Sequence, residues 1–188
     1  MELLSKDERI IIKDFLETDV NDYVIWNTEI IEWQEWDAPW EKDDLTKEEI
    51  RLKFENYFKH INKFDSNQIR TRFEICINDV EKPHIGWVIS YQIDEDFKYT
   101  KQKGFYALGI DIPDLKYRRN GYGKSALLTY IDYLQSFGFN QFYIQTWSGN
   151  LSMLNLSKKL GFIECNRLKG IRIVNDIKYD AITLKLDF

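Results

Sequence analysis

Apolar and polar positions change period several times along the chain, and each change marks an element. Arg9–Phe15 (R-I-I-I-K-D-F) is rich in β-branched residues and predicts a first strand. Asp19–Trp26 reads as a short helix, and the following segment, with Trp33, Trp36, Pro39 and Trp40, reads as a structured loop. Thr46-Lys-Glu-Glu49 spells a capping box. Behind it Ile50, Phe54, Tyr57, Phe58 and Ile61 share one helical face. Three strands are expected at Ile69–Asn78, His84–Ile93 and Phe105–Ile112, the first two joined through the Asn78–Pro83 turn. Residues 94–104 read as a longer exposed connection. A glycine-containing loop, Arg118–Gly123, opens a helix to about Phe137, in which Leu127, Ile131 and Leu134 share a face and Gly138 is the stop. Gln141–Thr146 is a short strand, and Leu151–Leu160 a helix with Asn150 as N-cap and Gly161 just past its end. Two last strands, Phe162–Lys169 and Ile177–Leu186, bracket an Asn175-Asp176 turn. The order βααβββαβαββ predicts a mixed α+β fold of about seven strands and four helices rather than strict βαβ alternation.

Composition narrows the class. The chain has 188 residues, 44% hydrophobic and 30% charged, with six Trp. One self-sufficient domain fits that length, and neither disorder nor a transmembrane helix fits that composition. The opening residues lack the basic-then-apolar order of a signal peptide. Cys76 and Cys165 make no disulfide framework, and two Cys with two His show no metal-ligand spacing. The expectation is a reduced, cytoplasmic, metal-free protein with no membrane partner. The net charge of -5 is unevenly spread: residues 1–50 carry 16 acids against 5 bases, and the remainder is net basic. No dense Lys/Arg stripe points to nucleic acid.

The loop Arg118–Lys124 is the most informative segment. Its glycines, between a strand and a helix, suit close approach of a phosphate to backbone amides, with Arg118, Arg119 and Lys124 adding positive charge. The tail Gly123-Lys124-Ser125 matches a P-loop, but Arg118 stands where its first glycine must be. Gly121-Tyr-Gly-Lys-Ser-Ala126 matches a dinucleotide fingerprint. The acid required about 20 residues on is missing, however, and Thr146-Trp147-Ser148 is there instead.

A third pattern, R/Q-x-x-G-x-G/A, is met by Arg118-x-x-Gly121-x-Gly123, and here the sequence resembles the GNAT superfamily of acetyl-CoA-dependent N-acetyltransferases. Gly109-Ile-Asp-Ile-Pro113 is similar to that family's fourth strand. Gln145–Asn150, followed by Lys158-Lys-Leu-Gly-Phe162, is similar to its second conserved block. The tail, with Tyr179-Asp180 before a last apolar strand, resembles the subgroup that includes ribosomal-protein N-terminal acetyltransferases. The resemblance covers residues 105–186, which would be the acetyl-CoA-binding core of a single domain spanning 1–188. Residues 1–65 would be its acceptor-binding half.

The resemblance implies a direct transfer of acetyl from acetyl-CoA to an amine in a ternary complex. It places the pyrophosphate of coenzyme A on the amides of Arg119, Asn120, Gly121, Tyr122, Gly123 and Lys124, with Arg118 or Arg119 neutralising charge. The pantetheine arm would run between the splayed fourth and fifth strands, against backbone near Ile110 and Ile112. Asn150 would cap its helix and touch the cofactor. Asp111 is the first candidate for the base that deprotonates the amine, with Glu32, Glu35 and Asp37 as alternatives. Relatives often carry Glu at the position of Ala107. Many carry Tyr at the position of Ser157, which here would stabilise the departing thiolate unless water protonates it.

For the acceptor, the Trp-rich and acidic N-terminal segment suits a cation held by Trp33, Glu35, Trp36 and Asp37, either an amine-bearing small molecule or a protein N-terminus. Exposed edge strands near the C-terminus leave room for a homodimer. The rival reading is a non-catalytic acetyl-CoA-binding module. A weaker one is a nucleotide-binding protein using Gly121–Ser125.

Overall fold

Eight strands form one sheet in the order β1-β2-β3-β4-β5-β6-β8-β7 in this computed structural model, which describes residues 1–41, 44–61 and 68–188. The strands are β1 (Glu2–Leu4), β2 (Ile10–Lys13), β3 (Arg72–Ile77), β4 (His84–Ile93), β5 (Phe105–Asp111), β6 (Gln141–Trp147), β7 (Ile163–Val174) and β8 (Ile177–Asp187). The helices are α1 (Val20–Thr28), α2 (Lys47–Ile61), α3 (Tyr122–Gln135) and α4 (Leu151–Lys159). Every neighbouring pair is antiparallel except β5 and β6. Among the described residues no helix is long and apolar enough to cross a membrane.

Alternation along the central strands splits the core between two faces. Phe73, Val88, Leu108, Phe142 and Ile144 meet the apolar stripe of α3, where Leu127, Tyr130, Ile131 and Leu134 are buried, with α4 packed beside it. On the other face Trp87 and Ile89 meet α1 and α2 in a second cluster built from Phe15, Tyr23, Trp26, Trp33, Phe54 and Tyr57. Trp26 and Trp33 are therefore part of this second core cluster.

The structure departs from the sequence reading in four places. It adds β1, a strand too short to show a period, making eight strands where about seven were expected. The first predicted strand shrinks to Ile10–Lys13. Within the Trp-rich loop, Ile31–Glu35 forms a 3-10 turn. The last hairpin is longer than expected, because β7 continues past Gly170 to Val174 through register shifts that absorb the irregularity. The boundary expected at residue 65 lies outside the described residues.

Beneath α1 a buried ionic network ties the second face together. Glu74 is fully buried and accepts hydrogen bonds from Tyr23 Oη (2.5 Å) and Arg72 Nε (2.8 Å). His84 bridges Glu74 (Nε2, 3.0 Å) and Asp22 (Nδ1, 2.8 Å). Burial alone would raise the Glu74 carboxyl, but Arg72 and His84 overcome it and hold it below its ordinary value. Burial likewise disfavours imidazolium, yet bonds to Asp22 and Glu74 raise His84 to about 9. A raised folded-state pKa gives stability that is complete below the unfolded value of 6.5 and is lost as pH passes about 9. Thermal melts should therefore fall between those limits, and a His84→Asn variant should lose that slope. Gly86 is the other sensitive point, since a Cβ there would lie 2.0 Å from the Asp111 carbonyl oxygen of the paired strand. Gly86→Ala should cost about 1–3 kcal/mol in denaturant unfolding, because the neighbour it strikes is backbone.

Candidate active site

The sheet opens at its centre. β5 and β6 pair only at Tyr106–Phe142 and Ala107–Tyr143. Beyond those residues β5 stays bonded to β4 as far as Asp111, and β6 stays bonded to β8 as far as Trp147. Each strand thus turns one backbone edge without a strand partner toward the gap, ready to bond an extended chain that carries amides. At the head of the gap stands the glycine loop. Gly121 is the N-cap of α3 at φ 85°, and Arg119 also has positive φ, at 62°. Oriented amides at the start of this helix make an anion site. Arg119, Asn120, Gly121 and Lys124 are exposed, with Tyr122 half-buried. Ile110 and Ile112 lie beneath Gly123, at ordinary contact distance from where its Cβ would be.

Another cation joins the loop from the far end of the chain. Arg9 donates to the Asn120 carbonyl, stands 5.2 Å from the Tyr122 ring centroid, and would lie 2.7 Å from a Cβ at position 121. Asp7 accepts from the Ser125 hydroxyl in the same turn. Sequence reading missed Arg9, because nothing local links residues so far apart. Arg118, by contrast, is taken up by the protein. It donates to the carbonyls of Ile112 (2.7 Å) and Pro113 (3.0 Å) and pairs with Glu32 at 2.8 Å.

On the α1/α2 face lies a cavity of about 220 Å³, lined by residues of α1, α2, the Trp-rich loop, β3 and β4. Tyr23, Trp33, Phe54 and Trp87 supply aromatic wall, Asp37 and Glu41 supply acid, and Arg72 and Lys53 complete the lining. Arg72 lies over the rings of Tyr23, Tyr57 and Trp87. It was missed as a site residue, although a charged side chain at an inward position of an apolar strand is a usable signal. Asp111 ends β5, next to Trp87 in register.

The carboxylates of Asp37 and Asp111 receive no hydrogen bond or ion pair from the described residues. Burial first, and the Asp37 charge second, push Asp111 well above the ordinary carboxylate range, against the pull of Arg72 and Arg118. Asp37 remains open to solvent, yet protein crowding and then Glu41 raise it too. Burial, with Asp37 and Glu41 adding to it, also raises Tyr91 to about 12; its hydroxyl donates to Gln145.

The Trp-rich loop is pinned across the end of the gap. The Trp36 carbonyl accepts from Trp147 Nε1 (2.9 Å) and Asn150 Nδ2 (2.6 Å). Asn150 also caps α4 through Met153 N at 2.9 Å, as its sequence position predicts. Trp33 donates its indole N–H to the Trp26 carbonyl and lines the cavity. Trp36 and Glu35 are exposed, and neither borders the cavity. The C-terminal hairpin closes this side, with Arg172 4.3 Å over the Trp40 ring and Tyr179 edge-on to Trp147. Ser157 does not present a free hydroxyl. It is fully buried and donates within its own helix to the Met153 carbonyl at 2.8 Å.

Comparison with known proteins agrees with this architecture. The family profile of the acetyltransferase (GNAT) domain matches residues 9–163. Similar solved structures include a GNAT-family acetyltransferase from Bacillus anthracis, at 16% identity and TM-score 0.72, covering 100% of this chain and 98% of that one. RimL, a ribosomal L7/L12 α-N-protein acetyltransferase solved with coenzyme A, aligns at 13% identity and TM-score 0.72 over the same shares. A chimera of Vibrio cholerae spermidine N-acetyltransferase SpeG and hSSAT aligns at 15% and 0.65, covering 95% of each chain. Curated protein sequences give no significant match. With its profile spanning most of the sequence and the opened sheet beneath a glycine loop, the chain belongs to the GNAT family of acetyltransferases.

Proposed function

We propose that the protein transfers acetyl from acetyl-CoA to the primary amine of a cationic acceptor, by direct attack in a ternary complex. The observation that carries this reading is the pair of carboxylates, Asp37 and Asp111, that receive no hydrogen bond or ion pair from the described residues, Asp111 at the end of β5 beside the gap to β6. A gap lined by free backbone edge and headed by oriented amides fits a pantetheine arm and its pyrophosphate. When bound, acetyl-CoA supplies the activated acyl group. The amides of residues 119–124 hold the phosphates, and Arg119 and Lys124, with Arg9 beside them, add positive charge. Backbone along Gly109–Ile112 holds the arm and offers an N–H to the developing oxyanion.

An ammonium entering the cavity meets aromatic walls and Asp37, with Asp111 beyond Trp87; neither carboxylate receives a hydrogen bond or ion pair from the described residues. Asp111, whose raised pKa makes it a better base than an ordinary carboxylate, takes the proton directly or through one water. Asp37 holds the cation. Because the buried Ser157 hydroxyl donates its hydrogen bond to the Met153 carbonyl, water protonates the departing thiolate. The whole chain works as one domain, residues 1–65 serving the acceptor and 105–186 the coenzyme. Ser157's committed hydroxyl also fits the rival reading, a module that binds acetyl-CoA and transfers nothing; turnover separates the two.

The first expected outcome is cofactor binding. Calorimetry should give micromolar affinity for acetyl-CoA in the wild type, lost in Arg119→Glu and in Gly121→Asp, with circular dichroism confirming that both variants fold. No wild-type binding would remove the acetyl-transfer reading. The second concerns the base. Asp111→Asn should lower kcat about 10²–10⁴-fold on a polyamine acceptor. In the wild type kcat/KM should rise with pH along a limb displaced above the ordinary carboxylate range, and Asp111→Asn should remove that limb. The wild-type limb staying unchanged in the variant would exclude Asp111 as the base.

A further inference from the structure

Arg118 opens the glycine motif, where a phosphate contact is expected, yet its guanidinium faces the protein. Nε donates to the Ile112 carbonyl at 2.7 Å and Nη2 to the Pro113 carbonyl at 3.0 Å, both just past the end of β5. Nη1 lies 2.8 Å from Glu32 Oε2. That oxygen is wholly buried and has no hydrogen bond, so the ion pair, off the hydrogen-bond axis, is its one compensation among the described residues. The other Glu32 oxygen accepts from the indole N–H of Trp36. Trp36 in turn offers its carbonyl to Trp147 and Asn150, and the next residue is Asp37. Arg119, the next residue after Arg118, sits in the left-handed region as the loop turns toward its helix.

A run of contacts (charge-assisted bonds from Arg118, its ion pair with Glu32, the Trp36 indole bond to Glu32, and two neutral bonds to the Trp36 carbonyl) thus joins three places: the root of the glycine loop, the segment carrying Asp37, and the end of β6. The planar fork of Arg suits this task, since it can serve two carbonyls and a carboxylate at fixed angles. We propose that Arg118 is a positioning residue that ties the glycine loop to the acceptor loop through Glu32, so that coenzyme A on the glycine loop orders the wall carrying Asp37. Resting on the acetyl-transfer reading, this inference assigns Arg118 a role other than phosphate binding.

Hydrogen exchange tests the tie on the intact protein. The amides of Trp36 and Asp37 both bond the Trp33 carbonyl and report on the loop. In the free protein, Arg118→Gln and Glu32→Gln should each speed their exchange about tenfold, and the double variant should add little more. Adding coenzyme A should slow exchange at these amides in the wild type. In Glu32→Gln it should bind with unchanged affinity by calorimetry, without slowing them. Two results overturn the proposal. One is loss of coenzyme A affinity in Arg118→Gln with loop exchange unaltered, the signature of a phosphate contact. The other is a double variant whose effect is the product of the two single ones. If the wild type fails to bind coenzyme A, the acetyl-transfer reading falls and the ordering claim with it, while the free-protein cycle still upholds or overturns the ion-pair tie.

Discussion

After two residue pairs the hydrogen bonding between β5 and β6 stops, and the rest of the site depends on that interruption. A parallel pair that continued to zip would satisfy both edges and leave a closed sheet. Here each strand keeps its outer partner and loses its inner one, so the sheet stays rigid while its centre offers free backbone groups. Unpaired backbone is costly when buried, and the stable resolution is a ligand that bonds it. The candidate site is arranged around that demand. The glycine loop heads the gap, Asp111 ends one wall, and Trp147 and Asn150 at the end of the other hold the loop that brings Asp37 across.

The uneven charge of the chain has a structural expression in this arrangement. Cations gather where the coenzyme is expected: Arg119, Lys124 and, from the N-terminal turn, Arg9. Acids gather on the opposite face, where the charge of Glu41 helps raise Asp37 and that of Asp37 helps raise Asp111. Most charges of the N-terminal half are consumed internally, as in the Glu74, His84 and Arg72 network and the Glu32–Arg118 pair. Those pairs fix α1 and the acceptor loop on the sheet. Asp37 at the cavity and Asp111 at the end of β5 receive no hydrogen bond or ion pair from the described residues.

Local features were legible in the sequence, and distant ones were not. The glycine loop, the Asn150 cap, the capping box at Thr46 and the two apolar helix faces each depend on residues within a turn or two, so their spacing announced them. β1 was invisible because three residues carry no period, and the strand expected to end at Lys169 in fact bulges and continues to Val174. Arg9 and Arg72 were missed as site residues because their partners lie across the fold. Arg118 and Ser157 matched motif positions, but what their polar atoms touch is set by tertiary contacts that a motif does not encode: Glu32 for one, Met153 for the other. The family's fold was thus readable from two blocks, whereas the division of labour among its polar residues required the assembled sheet.

The central claim is that Asp37 and Asp111 form an interacting, unneutralised pair beside the open strands. Carbon-13 NMR of the side-chain carboxyls, followed against pH in the wild type and in Asp37→Asn, tests it directly. The account predicts that Asp111 titrates well above the ordinary carboxylate range, and that removing the Asp37 charge brings it down. An Asp111 that titrates at an ordinary value, indifferent to Asp37, would contradict it.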